Sequence, residues 1–130
     1  MLMVNIGKYH NLRPTLFRDN NYMLRLKLAA NTFVSATSWN ETSPNFQFSS
    51  TLSLSRELAG MIIEVWNKGT NGSLIGVTKL DLKYDLLWEQ CKKNESSLYP
   101  SVVYEDELPV GSLQGQMVGY LQTSVMIGSN

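Results

Sequence analysis

The stretch Met61-Ile62-Ile63-Glu64-Val65-Trp66-Asn67-Lys68-Gly69-Thr70-Asn71-Gly72-Ser73-Leu74-Ile75-Gly76-Val77-Thr78-Lys79-Leu80-Asp81-Leu82 decides the fold. Its opening is a β-branched and aromatic run broken only by Glu64, the composition of a strand inside a sheet rather than at its edge. The residues from Asn67 to Ser73 include Gly69 and Gly72, which accept the positive φ that a tight reversal demands. From Leu74 the chain returns as a second strand. Two strands joined by a seven-residue tip form an antiparallel hairpin, predicted to lie centrally in the protein.

Outward from this hairpin the dominant period is two, the mark of strands that bury alternate side chains. Leu2, Val4 and Ile6 alternate, and so do Tyr22, Leu24, Leu26 and Leu28, around the expected exposed positions Met23, Arg25 and Lys27. A long Pro- and Asn-punctuated loop separates these two strands. Further strands are predicted over 32–37, 46–54, 101–104 and 116–127, with a turn-rich segment over 40–45. Tyr84, Leu87, Trp88 and Cys91 fall at helical spacing, which predicts a short helix over 83–92. The sum is an all-β, eight-stranded antiparallel β-sandwich. Both ends have strand character, so residues 1–130 are expected to be one domain cut from a larger protein.

With 43% hydrophobic and 17% charged residues, the chain has material for a core and is not compositionally disordered. Eleven basic residues balance eleven acidic ones, so there is no global field to gather nucleic acid or anionic lipid. The lone Cys91 allows no internal disulfide and points to a reducing, cytoplasmic setting. Three sequons, at Asn40, Asn71 and Asn94, would matter only in a secreted chain. The alternating start does not form a signal core, and no apolar run approaches the roughly 18 residues of a membrane span.

Catalysis needs a proton carrier, a nucleophile or a metal. His10 is the single histidine, Cys91 lies on the helical apolar stripe, and Gly69, Gly72 and Gly76 lack the Lys-Ser/Thr of a phosphate loop. Glu105-Asp106-Glu107 is expected to be a solvated loop, and Trp66 and Trp88 to be core residues. Trp39, between Ser38 and Asn40, is the aromatic expected to stand exposed, to anchor a partner or to insert into a membrane interface. The chain is expected to be no enzyme and to hold no cofactor.

Several stretches together resemble the C2 domain family. Asn20-Asn21-Tyr22 stands where that family has Asp-Pro-Tyr, and Ser43-Pro44-Asn45-Phe46 is similar to its Asn-Pro-x-Trp. Ile63-Glu64-Val65-Trp66-Asn67-Lys68, Leu74-Ile75-Gly76-Val77 and Leu80-Asp81-Leu82 resemble its strand, calcium loop and return strand. The resemblance spans residues 1–127 and implies the circularly permuted, type II order. Phe46-Gln47-Phe48 and Leu54-Ser55-Arg56-Glu57-Leu58 are similar to repeated C2 domains of a centriolar and ciliary scaffold, C2 domain-containing protein three. Glu64 to Gly69 also resembles the first C2 domain of the Unc-family vesicle priming proteins.

The resemblance also marks what is lost. Calcium needs six to eight oxygens, most of the affinity coming from carboxylates. Of the matching positions Asp19 is acidic, whereas Asn20, Asn67 and Gly69 have replaced aspartates, so calcium-independent action is expected. Trp39, Asn67 and Lys68 are candidates for a protein-protein contact, including self-association. Arg25 and Lys27, aided by Lys8, Arg13 and Arg18, are candidates for anionic phospholipid or phosphoinositide binding, since the family holds such lipids on a lysine-rich strand face. The leading expectation is a cytoplasmic interaction module, in a scaffold at the centriole or cilium base; the alternative is a peripheral membrane-targeting domain. A hydrolase built around His10 is the least supported reading.

Overall fold

The computed structural model describes residues 2–13, 20–68, 72–94 and 99–128. Its strands are β1 (Leu2–Asn11), β2 (Tyr22–Leu28), β3 (Asn31–Val34), β4 (Asn45–Leu52), β5 (Met61–Asn67), β6 (Ser73–Leu80), β7 (Ser101–Gly111) and β8 (Met117–Ile127). A 3-10 turn spans Arg56–Gly60, and the helix α1 spans Tyr84–Lys93. The strand order is β3-β2-β5-β6-β7-β8-β1-β4, antiparallel throughout. Because β6 and β7 are joined only by the pair Val77–Gly111, the strands divide into two four-stranded layers hinged at one corner. This is the expected eight-stranded β-sandwich, in the permuted order.

The two layers close on one core. Leu24, Leu26, Ile63 and Val65 come from one side and Val4, Ile6, Leu121 and Val125 from the other, all essentially sealed from solvent. The expected alternation holds in β1 up to Ile6. There the register against β8 shifts, so that Ile6 faces Thr123 while Tyr9 faces Leu121. This bulge turns Lys8 outward and sends Tyr9 into the core. A Cβ at Gly119 would overlap the Tyr9 ring, so glycine is required beside this aromatic. Similarly, a Cβ at Gly76 would lie 2.8 Å from Gly111 O, and its absence lets β6 approach β7 at the hinge.

Four sequence expectations need correction, the first being Trp66, which is only partly buried and lies outside the core, beneath Arg25. Met23 is only 4% exposed, and its register partner across β2 and β5 is Trp66, a side chain large enough to shield that face. Glu105-Asp106-Glu107 is not a loop but the middle of β7, with all three residues exposed. Trp88 is 45% exposed, because α1 rests on the surface and buries Leu87 alone. Its ring stacks on Tyr84 at 6.4 Å, with Arg56 over the Tyr84 ring and Lys92 over the Trp88 ring. The 3-10 turn leaves no mark on the sequence periodicity; it places Leu58 in the core directly before β5.

Candidate functional site

The antiparallel order brings the β1–β2, β3–β4, β5–β6 and β7–β8 connections to one end of the sandwich. Asn20 and Asn21, immediately before β2, form its hub. The Asn21 backbone N–H donates to Asn67 Oδ1 at 3.4 Å, and its carbonyl accepts from the Lys68 N–H at 2.7 Å. Its side-chain Oδ1 accepts from the Asn40 N–H at 2.9 Å. One residue therefore ties together three connections. Asn40 adopts φ +56°, a left-handed conformation that asparagine tolerates better than most residues.

Asn20 extends the network. Its carbonyl accepts from the Glu41 N–H at 3.1 Å, and its Oδ1 accepts from the Tyr22 hydroxyl at 3.2 Å. Asn11 Nδ2 donates to the same hydroxyl at 2.8 Å, which joins the end of β1 to the start of β2. Tyr22 packs edge-on against Tyr9, with ring centroids 5.7 Å apart, and the Tyr9 hydroxyl donates to the Val118 carbonyl at 3.1 Å. Burial pushes both phenols above the usual range; Tyr22 opposes ionisation of Tyr9, while the Asn11 hydrogen bond pulls Tyr22 partly back. Asn20, Asn21 and Asn67 are all buried, and among the described residues no buried side-chain polar atom lacks a partner.

Among the described residues, this end is held by neutral amides and a phenol. A calcium cradle would instead present several carboxylates to a common point. Among the described residues no three of His, Cys, Asp and Glu cluster as metal ligands. Asp19, Gly69 and Arg18 lie outside the described residues. Asn67, a candidate contact residue, is turned inward by its bond to Asn21, whereas Lys68 beside it is exposed. Trp39 is 65% exposed, one residue beyond the bridge that Ser38 makes to Tyr22. Leu12, Leu113 and Met117 are exposed at the same end. Leu12 is held there by its N–H bond to the Val118 carbonyl, and Arg13 Nη1 donates to Gln116 Oε1 at 2.7 Å. The asparagine pair beside Tyr22 is the legible signal for this hub; Asn40 and Asn11 give none.

The structure does not bring the candidate lipid-binding cations together. Arg25 lies over the Trp66 ring at 4.7 Å. Lys27 Nζ pairs with Glu64 Oε2 at 3.4 Å, while Glu64 Oε1 accepts from Trp66 Nε1 at 3.1 Å. One carboxylate thus engages both the lysine and the aromatic that carries the arginine. Lys8 projects from β1, in the other layer, and Arg13 is at the loop end. His10 is exposed on β1 opposite Tyr120; it lines neither the cleft over Gly7 nor the one between α1 and β7. Cys91 is half-buried against the core.

No family model matches the chain, and no curated protein matches it. Solved structures do. A C2 domain-containing protein from a putative elicitor-responsive gene superposes with TM-score 0.72 at 11% identity, covering 99% of this chain and 88% of that one. A C2 domain of plant Extended Synaptotagmin 1 gives TM-score 0.68 at 13% identity, covering 99% and 95%. A structure of CC2D1B, described as coordinating ESRCT-III activity during the mitotic reformation of the nuclear envelope, gives 0.66 at 13%, covering 97% and 54%. The chain has the C2 fold.

Proposed function

We propose that this chain is a non-catalytic, calcium-independent interaction domain that docks a protein partner through the loop end of its sandwich. The observation that supports this is the hydrogen-bonding of Asn21 to Asn40, Asn67 and Lys68, which links three connections through uncharged groups. Trp39 then stands exposed beside this network, one residue from Asn40, with Leu12 and Leu113 exposed at the same end of the sandwich. Exposed aromatic anchors on rigid supports are where binding energy concentrates. The likeness of Phe46-Gln47-Phe48 and residues 54–58 to domains of a centriolar and ciliary scaffold supports a parent protein of that cytoplasmic kind.

A second reading is peripheral membrane attachment at the same end, favoured by exposed Trp39, Leu12 and Leu113 sharing that end with exposed Arg13 and Lys68. Trp at a rim with nearby cations suits a lipid interface. Attachment through Arg25 and Lys27 is less supported, since Trp66 and Glu64 engage them. Flotation with vesicles of phosphatidylserine and phosphoinositide, with calcium or with chelator, separates the readings. Failure to float in either condition is the expected result. Flotation without calcium that Trp39→Ala abolishes transfers the function to membranes, and flotation that needs calcium contradicts both readings.

A further inference from the structure

Sheet edges expose unpaired N–H and C=O groups, and proteins protect them by keeping them short or by placing charges, prolines or covers on them. Among the described residues three kinds of open edge exist. β3 has only four residues. The seam where β6 and β7 meet only at Val77 and Gly111 carries Lys79 on β6 and Glu105, Asp106, Glu107 and Pro109 on β7. An acidic run on such a seam disfavours pairing with a stray strand.

β4 lacks these protections. It is the terminal strand of its layer, paired only with β1, and has eight residues. Residues 45–55 contain no charged side chain and no proline. Its one defect is the bulge beside Gln47, where φ is +48° and the register to β1 shifts. From Phe48 to Leu52 the ladder is regular. The inward side chains Phe46 and Phe48 are only partly buried, whereas Val4 and Ile6 on neighbouring β1 are sealed. This edge of the core is unfinished.

We propose that the β4 edge pairs with the same edge of a second copy of this chain, antiparallel and centred on Ser50. The segment is self-complementary in that register. Ser49 faces Thr51 of the other copy on the outer surface, where hydroxyl pairs are favourable, and Phe48 faces Leu52 on the core side. The bulged Gln47 stays outside the paired stretch. The formal net charge of zero gives two copies no long-range repulsion. The contact is isologous, so it closes at two copies and consumes the edge instead of propagating a filament. It leaves the loop end free in both, and its success or failure is independent of the function proposed above.

The test is sedimentation equilibrium over a concentration series. The wild-type mass is expected to rise from 14.7 kDa towards twice that value. Ser49→Lys with Thr51→Lys sets like charges directly opposite and is expected to hold the chain at the single-copy mass, with an unchanged far-ultraviolet spectrum. Ser49→Glu with Thr51→Lys sets opposite charges face to face in this register alone and is expected to restore the doubled mass. Amide exchange over 48–52 is expected to slow with concentration while β3 does not. A wild type that remains at 14.7 kDa throughout, or a dimer that survives the paired lysines, overturns the proposal.

Discussion

The backbone N–H of Asn21 and the side-chain Oδ1 of Asn67 meet at 3.4 Å, although 46 residues separate them. This contact ties the entry to β2 to the exit from β5. A neutral acceptor suits the position: a buried hydrogen bond between uncharged groups avoids the desolvation penalty of an unpaired carboxylate.

Asn21→Ala removes the acceptor for the Asn40 N–H and is expected to cost about 1–2 kcal/mol in chemical denaturation. Calcium should not recover the loss. Trp39→Ala, whose ring is largely in solvent, is expected to change stability by less than about 0.5 kcal/mol.

Gly119→Ala forces a methyl group into the space of the Tyr9 ring and is expected to destabilise by about 1–3 kcal/mol. Tyr9→Leu also costs stability through its lost hydrogen bond to Val118. Combined, the two changes should cost less than their sum, since the smaller side chain relieves the overlap with the ring and leaves only the 2.6 Å approach to the His10 carbonyl oxygen; a double-mutant cycle reads the coupling directly.

Ala29 occupies φ +52° in the two-residue turn between Leu28 and Asn31. A left-handed conformation costs a residue with a Cβ about 1–2 kcal/mol, while glycine loses more unfolded-state entropy. Ala29→Gly is therefore expected to raise stability by about 0.5–1 kcal/mol, measurable as a shifted denaturation midpoint.

Stability is expected to fall in alkali. Tyr9 and Tyr22 hold their protons more tightly folded than unfolded, because burial disfavours the phenolates. Their contribution is complete below the ordinary phenol pKa of about 10 and is lost as pH rises from there towards the folded values. The melting temperature should be insensitive to these groups up to about pH 9 and decline above about 10. Tyr9→Phe should reduce the decline.

The fold is legible because the residues that build it repeat with a period, as Leu24, Leu26 and Leu28 do. Local pattern misleads where long-range pairing overrides it. The β1 bulge moves burial from the phase of Ile6 to Tyr9, and pairing with β8 draws Glu105 to Glu107 into a strand despite their charge. At the loop end, Asn20 and Asn67 are legible as amides at positions where the C2 resemblance implies aspartates. Their inward orientation is not, because it depends on partners the fold supplies, the Tyr22 hydroxyl for Asn20 and the backbone N–H of Asn21 for Asn67. Likewise Arg25 and Lys27 suggest a basic face until Glu64 and Trp66 are seen to occupy them.

The central claim is that the loop end is complete without a metal. The direct measurement is a calcium titration of the amide spectrum, following the backbone N–H signals of Asn21, Asn40 and Lys68 and the side-chain amides of Asn20 and Asn67. The account predicts that these signals stay in place through millimolar calcium. Saturable shifts concentrated on them would show that the asparagines serve a cation, and would contradict it.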